Sequence, residues 1–195
     1  NFPETVSELP ADKAVLTGTP IRQELLEGSP ERALEFTGFT KDKPVIMIIG
    51  GSLGAAAVND AVRAVLPELL KTFQVIHLCG KGKLDESLKN TKGYVQYEYI
   101  KKELADLFAL ADVVISRAGA NAICELSALK KPNLLIPLSA RASRGDQILN
   151  ARSFERMGYS VVLEEEEITN EKLLETIHSL YKNRASYADA MSKSK

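Results

Sequence analysis

Apolar positions along the chain gather into short runs, separated by longer stretches that repeat with a helical period. Val45-Ile46-Met47-Ile48-Ile49 is followed by a helix predicted from about Leu53 to Leu70 and by a second apolar run, Val75 to Cys79. Tyr94 to Tyr97, a helix near Lys102 to Leu110, and Val113-Val114-Ile115 continue the series. A helix near Ala120 to Leu129, the run Leu134-Leu135-Ile136, a helix near Gln147 to Met157, the run Ser160 to Leu163 and a helix from about Asn170 to Lys182 complete it. The runs are continuous rather than alternating, the pattern of parallel strands covered by helices on both faces. In the first long helix Val58, Ala61, Val62, Val65, Leu66, Leu69 and Leu70 recur at i, i+3, i+4 and i+7, one stripe that packs on a sheet. The predicted fold class is α/β, a doubly wound, Rossmann-like parallel sheet with ligands bound at the carboxyl ends of its strands.

Residues 1–42 read as an irregular lead-in, because Pro at 3, 10, 20 and 30 and Gly at 18, 28 and 38 interrupt any long element. Ala14 to Thr17 is a candidate edge strand there. Residues 43–184 form the predicted core and 185–195 a frayed tail. Glu164-Glu165-Glu166-Glu167 is most simply a solvated connection.

Composition narrows the function classes. With 195 residues, 45% of them hydrophobic, the chain can bury one ample core. Lys+Arg 25 against Asp+Glu 26 leaves a net charge of −1, which gives no general attraction to phosphate polymers and argues against a nucleic-acid partner. No apolar run approaches the roughly 18 residues of a membrane span, and no secretory signal pattern stands at the start. Cys79 and Cys124 are a sparse usage that suits reduced thiols in a cytosolic setting. Neither has a metal-ligand partner at suitable spacing, so no metal and no cofactor are expected. The chain opens on Asn1-Phe2-Pro3-Glu4-Thr5 rather than on Met, which suggests a piece of a longer polypeptide.

Three strand-to-helix loops carry candidate chemistry. Gly50-Gly51-Ser52-Leu53-Gly54-Ala55 follows the first strand and opens a helix, where free N–H groups, the helix dipole and the Ser52 hydroxyl suit an anion. Its spacing matches neither G-x-G-x-x-G nor the P-loop, and no acidic residue ends the second strand to hold an NAD ribose, so NAD and P-loop chemistry are disfavoured. The plainer alternative is a tight turn with no ligand. Ser116-Arg117-Ala118-Gly119-Ala120-Asn121-Ala122-Ile123-Cys124-Glu125 is the second loop, and Glu125 stands where a carboxylate accepts both hydroxyls of a vicinal diol or merely complements the helix dipole. The third runs from Pro137 to Asn150, with Asp146 and Gln147 at a helix start, suited to polyhydroxylated groups, Asp146 serving equally as an ordinary cap.

Taken in order, these segments resemble the donor-binding, carboxy-terminal half of the MurG family, the N-acetylglucosaminyltransferases that convert lipid I to lipid II in bacterial peptidoglycan synthesis. The segments are Gly18-Thr19-Pro20-Ile21-Arg22, Gly50 to Ala55, Tyr97-Glu98-Tyr99-Ile100, Asp112 to Glu125 and Asp146-Gln147-Ile148-Leu149-Asn150-Ala151. The sequence departs from the family's usual residues at Thr19, Leu53 and Asp146. The resemblance implies one half of a two-domain GT-B fold, and UDP-GlcNAc as ligand. It implies that Gly51, Ser52 and Gly54 meet the diphosphate, that Arg22 approaches from the interdomain side, and that Ile100 presents backbone groups to uracil. Arg117 and Gly119 belong to the same site, Glu125 accepts the ribose hydroxyls, and Asp146 and Gln147 face the GlcNAc hydroxyls. Lipid I and the inner face of the membrane are contacted through the family's amino-terminal half, which has no counterpart here.

His77 lies within a strand pattern and His178 on the last predicted helix, so neither is placed as a catalytic base. The expected role is therefore the donor half of an inverting GlcNAc transferase, without transfer activity on its own. Two alternatives remain open on the sequence: a standalone nucleotide-sugar-binding subunit that recruits a membrane partner, and another GT-B enzyme such as a diacylglycerol glycosyltransferase or a UDP-GlcNAc 2-epimerase.

Overall fold

Each apolar run is a strand in the computed structural model, which describes residues 19–51, 55–140 and 145–194. In chain order the elements are α1 (Pro30–Thr37), β1 (Val45–Ile49), α2 (Ala55–Thr72), β2 (Gln74–Leu78), β3 (Tyr94–Tyr97), α3 (Leu104–Leu110) and β4 (Val113–Ser116). They continue with α4 (Ala120–Ala128), β5 (Asn133–Leu135), α5 (Asp146–Arg156), β6 (Ser160–Val162), α6 (Asn170–Lys182) and α7 (Arg184–Ser192). The six strands form one sheet in the order β3-β2-β1-β4-β5-β6, every neighbouring pair parallel. β1 lies inside the sheet, between β2 and β4. Because the chain winds outward from β1 in one direction and then returns to the other side, the topological switch lies between β1 and β4. Ile49 is in register with Leu78 on one side and Ser116 on the other, so three strand ends finish level at that switch.

Successive side chains of a strand point to opposite faces, and this alternation divides the core in two. Met47 joins Ile76, Val114 and Leu135 in a layer covered by Ala33 of α1, Leu107 of α3, Ile123 and Leu126 of α4 and Phe154 of α5. Ile46 and Ile48 join Val75, Val113 and Ile115 under Val58, Val62, Leu66 and Leu69 of α2 and Leu173, Ile177 and Leu180 of α6. The α2 stripe read from the sequence is thus the buried face of that helix.

Three local expectations differ from the structure. The lead-in contains α1, whose Ser29 cap accepts a hydrogen bond from the Arg32 N–H at 3.3 Å, with Pro30 in the first turn and Gly38 ending the helix at φ 70°. Pro30 and Gly38 are therefore start and stop signals rather than interruptions. The tail after Arg184 is helical, with Met191 buried and the Arg184 guanidinium 4.2 Å from the centre of the Tyr181 ring. The acidic run is tied down rather than simply solvated: Glu164 pairs with Arg152 at 2.6 Å and Glu165 with Arg117 at 2.5 Å. The candidate strand at 14–17 lies outside the described residues.

The lead-in is held against α3 by charge and by close approach. Arg32 donates through Nε and Nη2 to the Asp106 carboxylate at 3.0 and 2.6 Å, and the Ser29 N–H adds a bond at 2.8 Å. These donors, Arg32 foremost, hold Asp106 below its ordinary carboxylate range. A Cβ at Gly28 would lie 2.0 Å from the Ala105 carbonyl oxygen, so only glycine lets the two backbones meet here.

Candidate functional site

At the end of β1 the chain turns through Gly50 and Gly51, whose φ of 71° favours glycine. Gly80, at the end of β2, lies directly beside this turn. Ser52 and Gly54, expected to work with Gly51, lie outside the described residues. Across the switch, α4 begins after Gly119 with no side-chain cap, and its first intrahelical bond runs from the Ile123 N–H to the Gly119 carbonyl at 3.1 Å. The N–H groups of Ala120, Asn121 and Ala122 therefore have no acceptor within the helix, at the positive end of its dipole.

Between these strand ends and helices α3 and α4 lies a cavity of about 690 Å³. Ile49, Leu78, Leu104, Phe108 and Leu126 give it an apolar floor; Arg22, Lys81, Glu98, Tyr99 and Glu125 supply its polar wall. Four of the predicted site residues meet here: Arg22, Gly51, Ile100 and Glu125. Lys81, Glu98 and Ser116 also line it, and nothing in the local sequence pattern marked Lys81. A lysine in a glycine-flanked loop reads as solvated surface until the β2 end is placed beside the β1 turn.

The Arg22 guanidinium makes a two-pronged ion pair with Glu125, Nε to Oε1 at 2.9 Å and Nη2 to Oε2 at 3.0 Å, across 103 positions of sequence. The Glu125 hydrogen bonds raise the Arg22 pKa further above its ordinary value. The Glu125 side chain is 16% exposed and that of Arg22 48%. Farther along the wall, Glu98 accepts from the Gly82 N–H at 2.6 Å, tying the β3 loop to the β2 loop. Neither the N–H nor the C=O of Ile100 has a hydrogen-bond partner among the described residues.

The remaining predicted residues stand outside the cavity lining. Arg117 is buried and turned the other way, its Nη1 donating to the carbonyls of Ile136 and Pro137 at 3.1 Å each and its Nη2 paired with Glu165. Gly119 is the turn before α4. Gly145, at φ 86°, occupies the cap of α5, so Asp146 is the first helical residue and is exposed rather than capping. Gln147 accepts the Leu138 N–H at 3.1 Å through Oε1, bracing the loop after β5. Asn150 donates to the Ala118 carbonyl at 3.0 Å and so ties α5 to the loop that leads into α4.

His77 is wholly buried in the other core layer. Asn59 donates through Nδ2 to the Cys79 carbonyl at 2.9 Å, which leaves its Oδ1 to accept from His77 Nε2 at 2.8 Å. His77 Nδ1 then accepts from the Tyr94 hydroxyl at 2.8 Å. Burial, helped by the Arg63 charge, holds its pKa down at about 3. A neutral imidazole with both nitrogens engaged has no part in proton transfer at the cavity. Among the described residues no group of three or more His, Cys, Asp or Glu is placed to hold a metal, and no helix is long and apolar enough to cross a membrane.

A level set of strand ends at a β1/β4 switch, with a glycine turn, uncapped helix amides and an acid facing an apolar cavity, defines a domain of the doubly wound α/β class. The chain belongs to the glycosyltransferase family 28 C-terminal domain, whose family model matches residues 45–195. It is 64% identical over 194 residues to the UDP-N-acetylglucosamine--N-acetylmuramyl-(pentapeptide) pyrophosphoryl-undecaprenol N-acetylglucosamine transferase of Lachnospira eligens, which it matches over 100% of this chain and 55% of the relative. The enzyme of the same name from Clostridium perfringens is 60% identical, over 100% of this chain and 54% of the relative. These relatives are MurG enzymes, and the chain spans a little over half their length. Among solved structures, Acinetobacter baumannii MurG superposes with a TM-score of 0.68 at 23% identity, over 92% of this chain and 52% of that one. A glycotransferase of kitacinnamycin gives 0.73 at 16% identity, over 95% and 45%. These two share the fold, a six-stranded parallel sheet that forms one half of GT-B glycosyltransferases.

Proposed function

We propose that this domain binds UDP-GlcNAc as the donor half of an enzyme that transfers GlcNAc to lipid I, forming lipid II in bacterial peptidoglycan synthesis. The observation that carries this reading is the Glu125 carboxylate on the wall of an apolar cavity at the strand switch, in a chain 64% identical to a transferase of that name. Uracil fits the apolar floor with the N–H and C=O of Ile100, unpartnered among the described residues, at its edge, and the ribose hydroxyls donate to Glu125. The diphosphate lies towards Gly51, Ser52, Gly54 and the first turn of α4, with Arg22 beside it. Asp146 and Gln147 face the sugar, and Arg117 and Gly119 hold the loop between these groups.

In the inverting reaction the acceptor hydroxyl, giving up its proton to a base of the amino-terminal half, attacks the anomeric carbon as the bond to the UDP oxygen breaks. Negative charge grows on the diphosphate, where preorganised helix amides stabilise it without reorganising. The acceptor, and contact with the inner face of the cell membrane from the cytoplasmic side, belong in this reading to the amino-terminal half of the full-length relatives. Nucleic acid is not a partner.

Calorimetry on the chain tests the donor assignment. UDP and UDP-GlcNAc are expected to bind, NAD and ATP poorly. Glu125→Ala should weaken UDP-GlcNAc roughly 10- to 100-fold, since hydrogen bonds to a charged group are worth about 1.5–3 kcal/mol. A 2′,3′-dideoxyribose analogue should lose far less; equal losses for both ligands would show that Glu125 does not read the diol. Transfer to a lipid I analogue is expected only when the amino-terminal half is supplied, because that half positions the attacking hydroxyl.

A further inference from the structure

Both carboxylate oxygens offered to the ribose accept a guanidinium prong, at 2.9 and 3.0 Å. We propose that Arg22 is a specificity-determining residue that makes the ribose contact conditional on a ligand carrying phosphate, so that the site rejects the bare nucleoside. The inference rests on the reading of Glu125 as the ribose contact.

A planar guanidinium matched to a carboxylate gives two charge-assisted hydrogen bonds, stronger than the neutral hydroxyl bonds that replace them. A nucleoside that displaces the fork therefore exchanges strong bonds for weaker ones, and it leaves the guanidinium with no hydrogen-bonded acid, only the nearby charge of exposed Glu24. Among the described residues the other acid on the cavity wall is Glu98, which is engaged by the Gly82 N–H. A diphosphate changes the balance, because it brings two or more negative charges into the same cavity and the released guanidinium gains a new anionic partner. Lys81, the second cation on the wall, has no anionic partner among the described residues and can meet phosphate without any exchange.

The geometry assigns the movement to the arginine. Glu125 is fixed on α4, with 16% of its side chain exposed against 48% for Arg22. The backbone behind Arg22 is anchored by buried Leu25 and by the contact of Gly28 with Ala105, so the exchange is a swing of one side chain rather than of the segment.

Binding constants for UDP and for uridine, measured by calorimetry on the wild type and on Arg22→Met and Arg22→Lys, test this, with thermal melting to confirm that each variant folds. Arg22→Met is expected to weaken UDP roughly 10-fold or more and to tighten uridine roughly 3-fold or more, so that the preference for UDP falls by more than the loss of UDP affinity alone; weaker UDP with unchanged uridine would mean that Arg22 only contacts phosphate and would overturn the inference. Arg22→Lys, which keeps the charge without the fork, should release Glu125 for uridine while losing less UDP affinity. Parallel loss of both ligands in Arg22→Met would mean that Arg22 only orders Glu125, and an unchanged preference would mean that it takes no part; either overturns the inference. A wild-type chain that binds neither ligand overturns the donor-site reading as well, whereas UDP binding that depends on Glu125 but not on Arg22 removes this inference alone.

Discussion

Arg117 and Glu165 meet at 2.5 Å, and through this pair the end of β4 is joined to the acidic turn that follows β6. The same guanidinium holds the carbonyls of Ile136 and Pro137 after β5, so one buried arginine ties together the loops at three neighbouring strand ends. Arg117 is 8% exposed and Glu165 24%. Removing one member of a fully buried pair costs about 3–5 kcal/mol, and the partial exposure of Glu165 lowers this to about 1–3 kcal/mol for Glu165→Ala in urea unfolding. Arg117→Met should cost more, because two carbonyls also lose their donor. A double-mutant cycle that found no coupling would show that the pair contributes nothing to stability.

Gly28→Ala should be among the most damaging single-methyl changes in the lead-in. The added carbon would sit 2.0 Å from the Ala105 carbonyl oxygen, a backbone atom that cannot rotate away. Overpacking of this kind costs about 1–3 kcal/mol, and here the strain would push the Arg22-bearing segment off α3. A lower melting temperature together with weaker UDP binding is the expected result; a variant with wild-type stability would contradict the close approach.

His77 makes stability depend on pH. The folded protein holds it at about 3, against its ordinary 6.5, so below pH 6.5 the unfolded chain takes up a proton that the folded chain refuses. Its contribution is therefore complete above pH 6.5 and is lost as pH falls towards 3, at up to about 1.4 kcal/mol per pH unit. Denaturant midpoints of His77→Gln between pH 7.5 and 4 should fall less steeply than those of the wild type. Parallel slopes would mean that His77 is protonated in the fold.

Lys81→Gln should weaken UDP roughly 3- to 10-fold and make its binding less sensitive to salt, as expected for one exposed charge beside an anion. Uridine affinity should not change. A loss shared equally by uridine would place Lys81 on the base or ribose instead of the phosphates.

The strands, the long helices and the order of the loops were legible in the amino-acid sequence because they rest on local periodicity. Val45–Ile49 is apolar throughout because both faces of β1 are covered, and the α2 stripe repeats at 3.6 residues because one face of that helix is buried. The Gly50-Gly51 turn and the place of Glu125 on its helix were readable for the same reason. Pairings between distant segments were not. Arg22 and Glu125 stand 103 positions apart, and only the β1/β4 switch together with the seating of Gly28 on α3 brings them within hydrogen-bond reach. Arg117, at the end of β4, turns away from the cavity because a buried guanidinium needs acceptors, and the carbonyls after β5 and the Glu165 carboxylate lie on that side. Which cations face the cavity and which brace its walls was thus decided by the way the sheet sets its loops side by side.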